Sequence, residues 1–177
     1  LFVTAGVLHM GPLANQDAAE IVETLAVNLA ASVYLARAAH PHLAKSAGSL
    51  NLFTSSSFTK GRPNYAVYSA TKAAIVNLMQ ALADEWADAK IRVNAVAPGY
   101  VYTPMVASRG MTEELRQQRA QSGMLKTEGS AWDVAEAACF LASAAARWIT
   151  GQTLPVDAGR SAGNASGASP KPEGALR

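Results

Sequence analysis

Tyr65-Ala-Val-Tyr68-Ser-Ala-Thr-Lys72-Ala-Ala-Ile75 opens a long helical pattern and sets the frame for the rest of the chain. Tyr68 and Lys72 are four residues apart and share one helical face. A phenol, with an ordinary pKa of about 10, carries protons poorly at neutral pH. An ammonium close by favours the phenolate and lowers that pKa, which makes a general acid/base. Tyr-x-x-x-Lys is common by chance, so its meaning depends on its company. Behind it, Ile75, Leu78, Met79, Leu82 and Trp86 recur with a 3.6-residue period and predict a helix over 65–88. Its Ala-rich first turns would let another helix approach closely.

On the upstream side, Ser49-Leu50-Asn51-Leu52-Phe53-Thr54 alternates and reads as a strand. It runs into Ser55-Ser56-Ser57 and a Lys60-Gly61-Arg62-Pro63 loop. Such a serine run is either a polar loop or a hydroxyl at a strand's C-terminal end, where α/β folds place their ligands. Downstream, 91–97 reads as a strand closed by Pro98-Gly99. Tyr100 to Thr103 read as a loop, and Pro104 is expected to bar an immediate helix.

Leu1-Phe2-Val3 reads as a buried strand ending in the turn Thr4-Ala5-Gly6. Asp17-x-x-Glu20 reads as a capping box opening a helix over 17–40, and Asn28 falls on its apolar face. A buried amide needs partners. Ser130 to Ala144 predicts a helix with Val134, Ala137, Ala138 and Leu141 inward, and Thr153 to Val156 a last strand. Residues 105–129 are expected to be a mobile segment covering the substrate. Met105, Met111, Met124 and Leu125 suggest an apolar lid there, and Arg109, Arg116 and Arg119 a solvated face. The expected organisation is one domain over 1–160 and a disordered tail over 161–177, rich in Ser, Gly, Ala and Pro. Strands alternating with helices predict an α/β fold, with four parallel strands and right-handed crossovers.

Composition narrows the function classes. The chain has 177 residues, 50% hydrophobic, and a net charge of +2. This suits one ordinary globular domain and gives no reason to expect nucleic acid or an anionic membrane as a partner. No run approaches about 18 uninterrupted apolar residues, and no signal segment is visible. The single Cys139 sits in an apolar run and is expected in the core of a cytoplasmic protein. His40-Pro41-His42 lacks helical ligand spacing and an accompanying carboxylate or Cys cluster, so no metal is expected. His9 reads as a loop residue that could line a substrate pocket. The chain begins with Leu inside an apolar run, which suggests a piece of a longer protein.

The motifs together resemble the short-chain dehydrogenase/reductase family. They are Thr4-Ala5-Gly6, Asn28, Ser55, Tyr68-x-x-x-Lys72, Asn94-Ala-Val-Ala-Pro98-Gly99-x-Val101-x-Thr103 and Ile149-Thr-Gly151-Gln-Thr-Leu-Pro-Val-Asp157-Ala-Gly159, in that order. The resemblance implies a Rossmann-type doubly wound sheet and an oxidoreductase using NAD or NADP. Its substrate would be a small carbonyl compound or secondary alcohol. Tyr68 would be the acid/base, Lys72 would bind the nicotinamide ribose and depress the Tyr68 pKa, and Ser55 would hold the substrate oxygen. Asn28 would hold a water in a proton relay. Ala5 and Gly6 would flank the adenosine half of the cofactor. Pro98, Gly99, Val101 and Thr103 would pack on the nicotinamide. The helices at 17–40 and 65–88 would build a homodimer or homotetramer.

Three departures stand out. Val3-Thr4 replace the usual two asparagines, Asp157-Ala158-Gly159 replaces Asp-Gly-Gly, and no glycine-rich phosphate loop occurs. The expectation is therefore the C-terminal two-thirds of an enzyme, with Leu1 on a long bare edge strand. Two alternatives accompany it. Tyr65 stands seven residues before Lys72, the spacing of related enoyl-thioester reductases. The chain could also be a non-catalytic oligomerisation module of the same family.

Overall fold

The computed structural model describes residues 1–163. Four parallel strands lie side by side in chain order: β1 (Phe2–Val3), β2 (Ser49–Phe53), β3 (Arg92–Pro98) and β4 (Thr153–Val156). Between them run α1 (Ala18–Leu25), a π-helical turn (Ala26–Ala30), α2 (Ala31–Ser46), α3 (Ala66–Glu85), the short α4 (Pro104–Ala107), α5 (Glu113–Gln121) and α6 (Ala131–Ala142). This is the parallel α/β arrangement that the alternation predicts, and the doubly wound Rossmann type that the resemblance implies.

The doubly wound character follows from β2 and β3, whose inner residues are buried on both faces. Leu50, Leu52, Val93 and Ala95 face α3, where Ile75, Met79 and Trp86 complete one core. Val96 faces the other way, onto Val134, Ala138 and Leu141 of α6. Alternation in β2 thus reflects two cores rather than one wet face. Each fully buried Leu or Met here contributes about 1.5–3 kcal/mol. β1 is only two residues long, with Leu1 and Phe2 each 42% exposed, so the expected long apolar edge is a short one.

Several local expectations are corrected. The first helical stretch continues through Pro41 to Ser46, because Pro41 lies on the exposed face where the freed Arg37 carbonyl meets water. Asp17 caps Ala19 N at 2.7 Å, but Glu20 completes no box; it turns toward His9 Nδ1, 3.5 Å away. Pro104 starts α4 rather than barring it, since a first-turn proline gives up no helical hydrogen bond. Cys139 is exposed, one position off the Val134–Ala138–Leu141 face, and Ala137 is only half-buried. Arg119 is not solvated: its side chain is 15% exposed, over the Tyr100 ring at 4.6 Å and 3.5 Å from Glu128. Of the expected tail, Ser161 to Gly163 form a turn and 164–177 lie outside the described residues.

By length and composition alone, the 29-residue helix Ala18–Ser46 could cross a membrane. It instead presents buried Thr24, Asn28, Ser32 and Ala36 to the domain interior and leaves Val22 and Tyr34 exposed.

Candidate active site

The C-terminal end of β2 and the first turns of α3 form the wall on which the candidate residues meet. Lys72 is 6% exposed, although it is a lysine. Its Nζ donates to Phe53 O at 2.9 Å, and its own carbonyl accepts from Thr54 Oγ1 at 2.6 Å. Strand end and helix are therefore stitched together through residues 53, 54 and 72. Burial lowers the Lys72 pKa from the ordinary 10.5 to about 8. Tyr68, one turn earlier, is half-buried, with Lys72 Nζ 5.8 Å from its ring centroid. Ser55, just past the end of β2, acts on the Tyr68 phenol and lowers its pKa.

The Tyr68 pKa runs opposite to expectation. Burial raises it, the Ser55 hydrogen bond lowers it by less, and Tyr65 raises it further. Lys72 is turned to the Phe53 carbonyl, so desolvation of the phenolate prevails. At neutral pH the phenol holds its proton beside an amine that also holds its own.

Asn28 sits in the π-helical turn and is 1% exposed. Its Nδ2 donates to Val7 O at 2.9 Å and to Thr71 Oγ1 at 3.4 Å, and its Oδ1 accepts from Val7 N at 2.8 Å. The side chain thus clamps the loop after β1 onto α3. Its amide oxygen and nitrogen are both engaged by the Val7 backbone. A π turn inside an α-helix often marks a functional position. Gly6 lies against the same group: a Cβ there would stand 3.5 Å from Asn28 Oδ1 and 3.8 Å from Lys72 Nζ. Ala5, beside it, is exposed. Gly6, Asn28, Ser55, Tyr68 and Lys72 are therefore one constellation.

Pro98 borders it, since Pro98 O accepts from Ser56 N at 2.9 Å. Gly99 answers to β4 instead: its N donates to Val156 O at 2.9 Å, and an added Cβ would lie 2.5 Å from Asp157 Cβ and 2.6 Å from its Cα. Asp157 cannot yield freely, because its carboxylate accepts from Gly159 N at 3.0 Å and Ser161 N at 2.8 Å. Gly→Ala at a permissive position stabilises by about 0.4–1 kcal/mol. Gly99→Ala is expected to destabilise by about 2 kcal/mol instead, seen as a lower urea midpoint at unchanged m. Val101 bridges to Gly129, and its carbonyl accepts from Arg119 at 3.2 Å; Thr103 is the residue before α4. These two belong to the segment carrying α4 and α5.

Thr54, which sequence reasoning passed over, and Asn94, which it named in a motif without a role, complete the frame. Thr54 anchors the Lys72 backbone. Asn94 holds both edges of the last turn, donating to Ile149 O at 3.0 Å and accepting from Gln152 N at 3.1 Å. A polar residue in the apolar run 91–97 was the available signal. His9 pairs with Glu23 at 2.8 Å, and His40 rests on Trp86 at 5.0 Å. Met124 packs against Gly159 and Gly163, and its N donates to Ala158 O at 2.7 Å, so this part of the expected lid is tied down. Among the described residues no group of three or more His, Cys, Asp or Glu gathers as a metal site.

Comparison with known proteins agrees with this geometry. The family description "Enoyl-(Acyl carrier protein) reductase" matches residues 1–161. A bifunctional ribulose 5-phosphate reductase/CDP-ribitol pyrophosphorylase of Haemophilus influenzae is 43% identical over 102 residues, 58% of this chain and 22% of its own. Versicolorin reductase 1 of Dothistroma septosporum is 34% identical over 167 residues, 88% of this chain and 63% of its own. The solved gluconate 5-dehydrogenase of Burkholderia cenocepacia, in complex with NADP and tartrate, superposes with a TM-score of 0.86 at 28% identity, covering 92% of this chain and 64% of that one. The chain thus spans less than two thirds of the length of these relatives. Fold, ordered motifs and family match together show that the chain belongs to the short-chain dehydrogenase/reductase family of oxidoreductases.

Proposed function

We propose that the protein containing this chain interconverts a carbonyl and a secondary alcohol with NAD or NADP. The observation that carries this reading is the buried Lys72 one helical turn from Tyr68, its Nζ 5.8 Å from the phenol ring centroid, with Ser55 acting on the same phenol. Ser55 and Tyr68 would both point hydroxyls at one substrate oxygen. In reduction, Tyr68 gives its proton to that oxygen as negative charge develops there; in oxidation it takes the proton back. The cofactor, when bound, supplies or accepts the hydride.

The residues present fit such a cofactor. Lys72 is a buried cation with three N–H donors, of which Phe53 O takes one. A ribose diol could use the others, and Gly6 leaves the approach to Lys72 free of a side chain. The solved gluconate 5-dehydrogenase relative carries NADP, which supports the same assignment.

A second reading, reduction of an enoyl thioester with Tyr65 as the acid, has the printed family description in its favour. Against it, the Ser55 hydroxyl acts on the Tyr68 phenol, and Tyr65 meets Tyr68 edge-on at 6.3 Å under the Arg62 guanidinium. The deciding experiment is a fluorescence titration with NADH and NADPH of this chain and of a version extended upstream to its relatives' length. Binding by the extended protein, with turnover of a ketone but not an enoyl thioester, supports the first reading. Absence of binding by both would sink it.

A further inference from the structure

A cleft of about 650 Å³ opens on the loop that follows Ser55. Ser56 and Ser57 form its near wall, and Ser57 N donates to Ser55 Oγ at 3.2 Å, so the cleft adjoins the loop that holds the candidate catalytic hydroxyl. Three cations line it: Lys60, Arg62 and Arg160. Among the described residues no Asp or Glu lines it.

These cations differ from the others nearby. Arg116 and Arg119 are answered by carboxylates, Glu113 at 3.1 Å and Glu128 at 2.8 and 3.5 Å. Among the described residues, Lys60, Arg62 and Arg160 enter no ion pair. The two arginines are positioned by other means. The Arg160 guanidinium lies 4.0 Å from the Tyr100 ring centroid, and its Nε donates to Ser122 Oγ at 3.2 Å. The Arg62 guanidinium lies 5.6 Å from the same ring and 5.2 Å from that of Tyr65. Aromatic faces hold a guanidinium without neutralising it. Arg119 shares the Tyr100 ring at 4.6 Å but is answered by Glu128, whereas Arg62 and Arg160 repel one another uncompensated; an oxyanion between them removes the repulsion and takes charge-assisted hydrogen bonds.

We propose that the substrate is an anion, a hydroxy or oxo compound bearing a carboxylate or a phosphate. Its charged end sits among Lys60, Arg62 and Arg160 while its reacting oxygen reaches Ser55 and Tyr68. The direction of the cleft rests on the assignment of Ser55 and Tyr68 as the reacting pair; the anion site itself does not.

The test is calorimetric titration of the protein with D-gluconate, D-ribose 5-phosphate and the neutral polyol D-sorbitol, at low and at physiological salt. One of the anions is expected to bind at least 10-fold more tightly than sorbitol, and more weakly as salt rises. Which anion binds better distinguishes carboxylate from phosphate. Lys60→Gln and Arg62→Gln are each expected to weaken anion binding about 10-fold and leave sorbitol binding unchanged, while Arg62→Lys keeps most of the affinity. Among the described residues Lys60 is exposed and enters no ion pair, so its variant separates charge from folding. Equal binding of sorbitol and both anions, binding of none of the three, or unchanged anion binding in both glutamine variants would overturn the proposal. Anion binding that survives alongside full turnover in Tyr68→Phe would instead overturn the reacting pair and leave the anion site standing.

Discussion

Tyr68→Phe is expected to lower turnover about 1,000-fold, the middle of the range for losing a general acid/base. The assay uses the upstream-extended protein under saturating cofactor and ketone. The change removes one oxygen and no ring, and the ring is what packs against Tyr65. Folding should therefore be little affected. The affinity for NADPH should change less than 3-fold, since Lys72 keeps its place through Phe53 O and Thr54. Loss of rate with cofactor binding retained is the pattern for an interaction made in the transition state. Tyr65→Phe is the control and should stay within about 3-fold of the native rate. If the two results are reversed, Tyr65 is the acid, and the C=C reduction reading replaces the one given above.

The contrast between those two tyrosines also shows what was legible in the sequence. Helical spacing places Tyr68 and Lys72 on one face, and the period-two and period-3.6 patterns locate the strands and α3, because these depend only on neighbours in the chain. The partners of Lys72 are not visible that way. Phe53 O is a backbone atom nineteen positions upstream, brought close by the crossover from β2 to α3. The same holds for Asn28, whose burial was read correctly from its face but whose partner, Val7, lies in a loop without pattern. Arg119 was misread because its sequence neighbours are polar, while its real neighbours, Tyr100 and Glu128, come from outside α5. Cys139 was misread for the opposite reason: an apolar run does not show which residue is one position off the buried face. The cleft cations escaped notice because Arg160 lies almost a hundred residues from Lys60 and Arg62.

Lys72 is expected to destabilise the native protein at neutral pH while serving its function. Its folded pKa, about 8, lies below the 10.5 of the unfolded chain. Between those values the unfolded chain holds one more proton at position 72 than the folded one, so stability rises with pH there. The penalty is fully present below pH 8 and is relieved as pH climbs toward 10.5. Two and a half pKa units correspond to about 3 kcal/mol. Tyr68 acts in the opposite sense, because its raised folded pKa makes the unfolded phenol ionise first, but only near and above pH 10. The Lys72 effect is therefore read between pH 8 and 10. Lys72→Met removes the buried charge and also the hydrogen bond to Phe53 O, worth about 1 kcal/mol. At pH 7 the variant should be more stable than the native protein by about 2 kcal/mol, measured as the urea midpoint at constant m. That advantage should shrink as pH rises from 8 to 10, while reductive turnover in the variant falls by about 100-fold at every pH. An advantage that stays constant across the window would mean that Lys72 titrates as an ordinary lysine, and that the burial seen around it is relieved in solution. An advantage that shrinks as expected would mean that the native charge is maintained at a cost in stability because a buried, protonated amine beside Tyr68 is what the chemistry requires.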